Sequence, residues 1–382
     1  MWFSKKPAGE SVALIDISAS CIGVALARIE VGKAPVLCYT LRESLDHVDT
    51  ISPTTAMLKL LNDVGDRLVL EGAPQLRTAT GSGSVDRVIV NMGSPWQETH
   101  IETKSIQKDA PFTVSKSLIS EALTRDAEPP EGFTLTETVI ATSLNGYAVK
   151  EALGKRANRA ELTVLASTME DSVREDVTAL FRKLFHTSDI SFTAFAYPFF
   201  AVLRDLYPHE KEFLVLSVSS EATDVASIKR GHVVDVGSLP HGTNPLLKAI
   251  RHAGDLAQDA PDVPESTTGQ PSISRERNAR FGIEAEKAEK EWVEALAGFL
   301  RAFAMRHALP RTVFLIAGDE TRGFLKSALD APSLHTLWLS DEPVSVIPVM
   351  ASQFSSRITF QGLAEGDTML SLLALYATQG AR

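Results

Sequence analysis

The sequence predicts an α/β protein of two related lobes, with a small α+β insert in the first. Three observations predict it: a strand meander, an earlier copy of the same meander, and a block of short strands around one helix between the two. The later copy is Leu214–Leu239, which reads LVLSVSSEATDVASIKRGHVVDVGSL. Leu214–Val218 is an apolar run suited to a buried strand, Thr223–Lys229 is rich in β-branched residues, and Val233–Leu239 follows the turn signal Arg230-Gly231. The tip Ser219-Ser220-Glu221-Ala222 is small and polar, with backbone amides expected to be open to a ligand. The earlier copy runs Val12–Ile17, tip Ser18-Ala19-Ser20-Cys21, Ile22–Ile29, turn Val31-Gly32-Lys33 and Pro35–Leu41. Matching the tips sets Asp16 against Ser217 and Ser18 against Ser219. Repetition at this separation is duplication of a structural unit, not a short solenoid period. Two such halves are expected to leave a cleft with both tips facing it.

The elements between and after the meanders follow from periodicity. Thr54–Leu70 places Met57, Leu58, Leu60, Leu61, Val64 and Leu68 at mostly helical spacing, as a helix or a helix followed by a strand. Arg77–Ser84, RTATGSGS, reads as a junction. The insert begins near Asp86 and offers strands at Arg87–Met92 and Thr99–Lys104, a helix from Thr113, and strands at Phe133–Ala141 and Leu162–Ser167, with Asn145-Gly146 as a hairpin turn. Met169–Phe185 and Ser191–Leu206 read as helices, the second mostly apolar. Beyond the later meander come a turn at Pro240–Asn244, a helix from Pro245, a polar loop at Gly254–Asn278 expected to be mobile, and a long helix at Glu284–Arg306. Thr312–Ala317 is a buried strand, Thr321–Leu329 a helix, Ser345–Pro348 a last strand and Asp367–Thr378 a closing helix. The expected domains are 1–85 and 171–212 for the first lobe, 86–170 for the insert, 213–340 for the second lobe, and 341–382 returning to the first.

The 382 residues suffice for two or three domains, and 44% hydrophobic with 23% charged residues is an ordinary globular composition. A net charge of -10 without a basic run argues against a nucleic-acid surface. The two cysteines, Cys21 and Cys38, sit on adjacent expected strands and suggest a reducing compartment rather than a disulfide framework. No run reaches the roughly 18 apolar residues of a membrane span, and the N-terminus lacks a signal peptide's apolar core. A cytoplasmic location is expected. Trp2, Phe3, Lys5 and Lys6 combine aromatic rings with cations and suit a membrane-surface contact, against the alternative of an unstructured terminus.

Asp16 ends a strand beside a small-residue tip. A carboxylate there can hold hydrated magnesium while tip amides bind phosphate oxygens; the alternative is an Asp that caps its own turn. The later copy offers Ser217 and a Ser-Ser-Glu tip instead, and Glu221 would repel phosphate. Gly318 and Asp319 form a strand–Gly–helix joint of a common kind. His241 reads as a solvated turn residue. No HExxH, CxxC pair, Walker loop or GxSxG motif occurs.

With these residues in view, the chain resembles the actin-like ATPase superfamily, which has a ribonuclease H-like fold, and within it the branch of FtsA and PilM. MWFSKK followed by VALIDISASCIGVALARIE is similar to the PilM opening, the Asp86–Thr168 block stands where that branch carries its extra domain, and Leu239-Pro240-His241-Gly242 and Val313–Gly318 stand where its later turn and adenosine strand belong. The resemblance implies ATP and magnesium as ligands. It places Asp16, Ser18, Ala19, Ser20 and Cys21 on the first phosphate loop, with Asp16 on magnesium through water. Ser219, Ser220 and Thr223 fall on the second loop, and Gly242, Gly318 and Asp319 near the nucleoside. The departures are Ser217 for the second-loop Asp, Ser219, Ser220 and Glu221 for glycines, a single glycine on the adenosine strand, and Gly23 where the family often has a cation or polar group. The implied function is a non-enzymatic scaffold in type IV pilus assembly, peripheral at the inner membrane, that binds the cytoplasmic tail of a PilN-like membrane protein. The alternative is an FtsA-like division protein that binds an FtsZ-like tail, self-associates or acts as an ATP-dependent switch. A sugar or acetate kinase of the same superfamily would need intact phosphate loops and a base carboxylate.

Overall fold

Strand runs and turn chemistry become three sheets. The computed structural model describes residues 9–45, 52–125, 129–149, 151–249, 272–338 and 343–380. The chain divides into two compact units. The first takes Met1–Glu212, Ala226–Ser238 and Met350–Arg382; the second takes Phe213–Val225 and Leu239–Val349.

The earlier meander is β1 (Glu10–Ile17), β2 (Cys21–Ile29) and β3 (Val36–Ser44). Gly32 turns the second hairpin at φ 75, a conformation that costs glycine little. Three further strands complete a six-stranded sheet: β4 (Arg87–Met92), β9 (Ile190–Ala194) and β15 (Thr359–Leu363), in the order β15-β3-β2-β1-β4-β9. Arg87–Met92, expected in the insert, pairs in parallel with β1. Ile190–Ala194, read as the start of a helix, is a strand parallel to β4, and the helix α5 (Ala196–Leu206) begins only after it.

One face of this sheet is covered by α1 (Pro53–Arg67) and α4 (Asp171–Phe185). Ser52 caps α1 by accepting from the Thr55 amide, and Pro53 at the first position has no N–H to leave unpaired. Of the two readings of Thr54–Leu70, a helix or a helix followed by a strand, the helix holds. It passes through a π turn at Leu68–Gly72 into α2 (Ala73–Thr80), which Gly81 closes at φ 81. Val173, Val177 and Phe181 of α4 recur every four residues and are fully or almost fully buried with Met57, Leu61 and Val64 of α1. Each such side chain contributes about 2 kcal/mol by leaving water. The closing helix α10 (Thr368–Gly380) packs on β1, β2 and α5, with Tyr376 edge-on to Tyr197.

The insert is the four-stranded sheet β5-β8-β6-β7 with one helix. β5 (Glu98–Thr113) and β8 (Arg156–Glu170) are long and antiparallel, and β6 (Phe133–Leu144) turns through Asn145 and Gly146, both at positive φ, into β7 (Tyr147–Val149). The helix α3 (Lys116–Thr124) packs Leu118 and Ala122 onto Ile106, Leu162 and Val164.

The later meander, β10 (Phe213–Val218), β11 (Thr223–Lys229) and β12 (His232–Leu239), joins β13 (Thr312–Ala317) and β14 (Ser345–Pro348) in the order β12-β11-β10-β13-β14. β14 therefore belongs to the second sheet, not to the expected return to the first lobe; that return is made by β15 and α10. A short helix α6 spans 244–249. The helix α7 (Ser272–Arg306) starts inside the stretch read as a loop, while 254–271 lies outside the described residues. Trp292, Leu296, Leu300 and Phe303 bury one side of α7 against β10, β13 and α8 (Asp319–Ala328). The small helix α9 (Pro332–His335) completes the second unit. No described helix is long and apolar enough to cross a membrane.

Candidate functional site

The first tip lies at one level of four adjacent strands. Arg42 of β3 pairs with Gly23 of β2, Gly23 pairs with Asp16 of β1, and Asp16 pairs with Asn91 of β4. Side chains directly opposite in a sheet share a face, and Gly23 contributes none. The Arg42 side chain lies across the gap: a Cβ on Gly23 would stand 2.5 Å from its Nη2. Arg42 Nη2 donates to Asp16 Oδ2 at 3.0 Å, and Asn91 Nδ2 donates to Asp16 Oδ1 at 2.9 Å. Asp16 is 1% exposed, and both of its oxygens are engaged.

The same guanidinium forks onto a second carboxylate. Nε donates to Asp367 Oδ2 at 2.6 Å and Nη2 to Oδ1 at 3.0 Å, the bidentate geometry that makes Arg–carboxylate pairs strong. Nη1 reaches Cys21 Sγ at 3.1 Å. Asp367 in turn caps α10 by accepting from the Leu370 amide at 2.8 Å.

Burial pushes the Asp16 carboxyl above its usual value and the charge of Asp367 adds to the push, while Arg42 and Asn91 oppose it. Burial would also raise Asp367, but the charge and hydrogen bonds of Arg42, with the Leu370 and Met369 amides, outweigh it and hold that carboxyl below the usual range. The signs are opposite, and so are the expected pH dependences. Asp367 contributes stability that is fully present above the ordinary carboxylate range and is lost as pH falls through its depressed value. Asp16 costs stability as pH rises from the ordinary value through its raised one. Asp367→Asn is therefore expected to be more damaging at pH 7 than at pH 3, by about 1–3 kcal/mol at neutral pH. Asp16→Asn should compare better with the wild type at pH 7 than at pH 4. Urea melts at the three pH values check both, and parallel trends for the two variants would refute the assignment.

The two tips are built alike. Ser18 N–H donates to Cys21 O and Cys21 N–H to Ser18 Oγ, at 3.1 and 3.3 Å. Ser219 N–H donates to Ala222 O and Ala222 N–H to Ser219 Oγ, at 2.9 and 3.1 Å. The matching bonds support the duplication. They also engage four of the amides expected to be open. Carbonyls of the first tip are engaged from outside: Trp96 Nε1 donates to Ser18 O at 3.1 Å and Leu45 N–H to Ser20 O at 2.7 Å.

In the second unit the turn after β12 sits directly on its tip. Thr243 N–H donates to Ser219 O at 2.9 Å and Asn244 N–H to Ser220 O at 2.8 Å. A Cβ on Gly242 would stand 2.4 Å from backbone atoms of Ser219 and Ser220, so only glycine fits. Thr223, expected on the second phosphate loop, has its hydroxyl in the core: it donates to His241 O at 2.7 Å and accepts from Trp292 Nε1 at 3.0 Å. Glu221 Oε1 accepts from Asn244 Nδ2 at 2.6 Å. Gly242 and Thr243 border a cavity shared with Leu246, Trp292, Phe324 and Leu325, whose volume is about 20 Å³. That is space for about one water. Gly318 caps α8, where a Cβ would meet only Thr321 Oγ1, at 3.9 Å, and the exposed Asp319 pairs with Arg322.

These residues do not fit the magnesium ion that the resemblance implies at Asp16. The Asp16 oxygens carry a guanidinium and an amide, and the second tip has Ser217 in place of a carboxylate. Among the described residues no group of three or more His, Cys, Asp and Glu could hold a metal. Trp2, Phe3, Lys5 and Lys6 lie outside the described residues. Arg42 and Asp367 were not anticipated from sequence; the signal available was Gly23, a bare position in an otherwise apolar strand next to a carboxylate.

No protein-family model matches the chain, and no curated protein matches it. Among solved structures, the fold matches a chain of the PilM–PilN type IV pilus biogenesis complex at TM-score 0.60, with 13% identity, over 96% of this chain and 98% of that one. The fold is actin-like. Structures at TM-score 0.41 are a Bacteroides thetaiotaomicron protein described as having an actin-like ATPase fold and unknown function (10% identity, 99% of this chain and 98% of that one) and a Balamuthia mandrillaris glucokinase in complex with glucose (13% identity, 97% and 94%). At these identities the actin-like fold is what the likeness carries.

Proposed function

We propose that this actin-like chain is a non-enzymatic scaffold of type IV pilus assembly, peripheral at the inner membrane, and that it holds the cytoplasmic tail of a PilN-like membrane protein. The observation that carries the proposal is the whole-length fold match to a chain solved within a PilM–PilN complex. A scaffold needs the fold's shape and not its chemistry, and the engaged oxygens of Asp16 agree with that use. The insert over residues 98–170 offers a place for an extended tail. Among the described residues no strand pairs with β6 along Thr134–Ala141 on the side away from β8. An exposed edge of this kind accepts a peptide as an added strand.

The test is affinity purification of the tagged chain from detergent-solubilised membranes, followed by titration of the recovered protein's tail peptide. A single-span membrane protein is expected, together with micromolar binding of its tail alone. Recovery of soluble metabolic enzymes without any pilus component would overturn the proposal.

A further inference from the structure

We propose that Arg42 is the resident cation of the first tip, standing where this fold would otherwise place a divalent metal, and that it keeps Asp16 from taking one. This goes beyond the scaffold reading and does not depend on it, since a chain with no pilus role could carry the same arrangement.

The case rests on how completely Asp16 is used. Hydrated magnesium approaches a carboxylate through water and keeps several waters of its own. Asp16 is 1% exposed, with Oδ1 on Asn91 and Oδ2 on Arg42, so neither oxygen is left for that shell. Arg42 is also anchored. Its fork onto Asp367, through Nε and the same Nη2 that reaches Asp16, fixes the guanidinium, and Asp367 is itself fixed as the cap of α10. A metal could reach Asp16 only by displacing a cation tied to two carboxylates and to Cys21 Sγ. Gly23 makes the arrangement possible, because any side chain there would occupy the path of the guanidinium. The bare glycine, the arginine opposite it and the carboxylate one strand further on form a single device.

Asn91 fits the same picture. Its amide nitrogen is committed to Asp16, while its Oδ1, buried, has no hydrogen-bond partner among the described residues. With Arg42 removed, Asp16 Oδ2 would join that Oδ1 as an unused acceptor. The freed Asp16 Oδ2, facing the space the guanidinium leaves, is a hard oxygen donor of the kind a small divalent cation takes.

The probe is manganese, followed by electron paramagnetic resonance of the free ion. Wild-type protein is expected to leave the signal of millimolar manganese unchanged. Arg42→Ala should lower it, with binding at least about tenfold tighter than the wild type, and Arg42→Ala/Asp16→Asn should abolish the gain. If Arg42→Ala does not fold, Gly23→Ala serves instead: its Cβ would displace the guanidinium from Asp16 while keeping the charge in the chain, and a gain of manganese binding that depends on Asp16 is expected. Binding by the wild type that Asp16→Asn removes would overturn the proposal. So would a folded Arg42→Ala, or in its place a folded Gly23→Ala, that binds no manganese.

Discussion

Arg42→Met is expected to cost about 3–5 kcal/mol, because it keeps much of the stem's volume and removes the charge from between two carboxylates. Asp16 and Asp367 have side chains 2% and 18% exposed, and each gives hydrogen-bond acceptors to the same guanidinium. Without it, two buried negative charges face one another with little solvent between them. The loss should appear as a lower urea midpoint at unchanged slope. It should also depend on pH in a stated direction. Both carboxyls would bind protons more readily in the folded variant than in its unfolded chain, so the penalty is complete above their raised values and shrinks as pH falls through them. Arg42→Met/Asp16→Asn should recover at least about 1 kcal/mol over the sum of the single effects, as residues in one network do. A loss below about 1 kcal/mol at pH 7, or one independent of pH, would show that the cluster is not the electrostatic pair described.

Much of the fold was legible in the sequence, and the arginine was not, for a physical reason. The strands of both meanders announce themselves locally, by an apolar run, a turn with glycine and a second run. The tips share a Ser at the first position, and in both the structure uses it to accept from the fourth residue's amide. Elements whose identity depends on partners were missed. Ile190–Ala194 runs into the apolar helix after it, and what makes it a strand is β4 alongside. Thr359–Leu363, TFQGL, is a short, largely exposed edge strand and carries little alternation to read. The place of Arg42 needs a register: a shift between Leu26 and Ala27 sets Arg42 opposite Gly23. Asp367 stands 325 positions further along the chain. Periodicity sees none of this. The departure at Gly23 was visible as a missing side chain, and the structure accounts for it as room for one arriving from the neighbouring strand.

The glycines carried over from the resemblance separate in the same way, and Gly242→Ala against Gly318→Ala tests it. The turn after β12 is laid on the second tip with no space for a methyl group: a Cβ at 242 would stand 2.4 Å from Ser219 O and from the Ser220 carbonyl. These are backbone atoms, so the collision cannot be relieved by rotating a side chain. The turn and the tip must part, and the bonds at stake are Thr243 N–H and Oγ1 to Ser219 O and Asn244 N–H to Ser220 O. Thr223 Oγ1 to His241 O goes with them, together with its link to Trp292 in the core. At about 1 kcal/mol for each bond, Gly242→Ala should lose at least about 3 kcal/mol. Gly318, by contrast, has φ -60 and ψ 150, which any residue adopts, and the nearest atom to its missing Cβ is Thr321 Oγ1 at 3.9 Å. Gly318→Ala should stay within about 0.5 kcal/mol of the wild type. A glycine kept for phosphate would be dispensable to stability; one kept because two stretches of backbone touch is not. Equal effects at the two positions would mean that the contact between turn and tip does not hold the second unit together, and that Gly242 is not required by it.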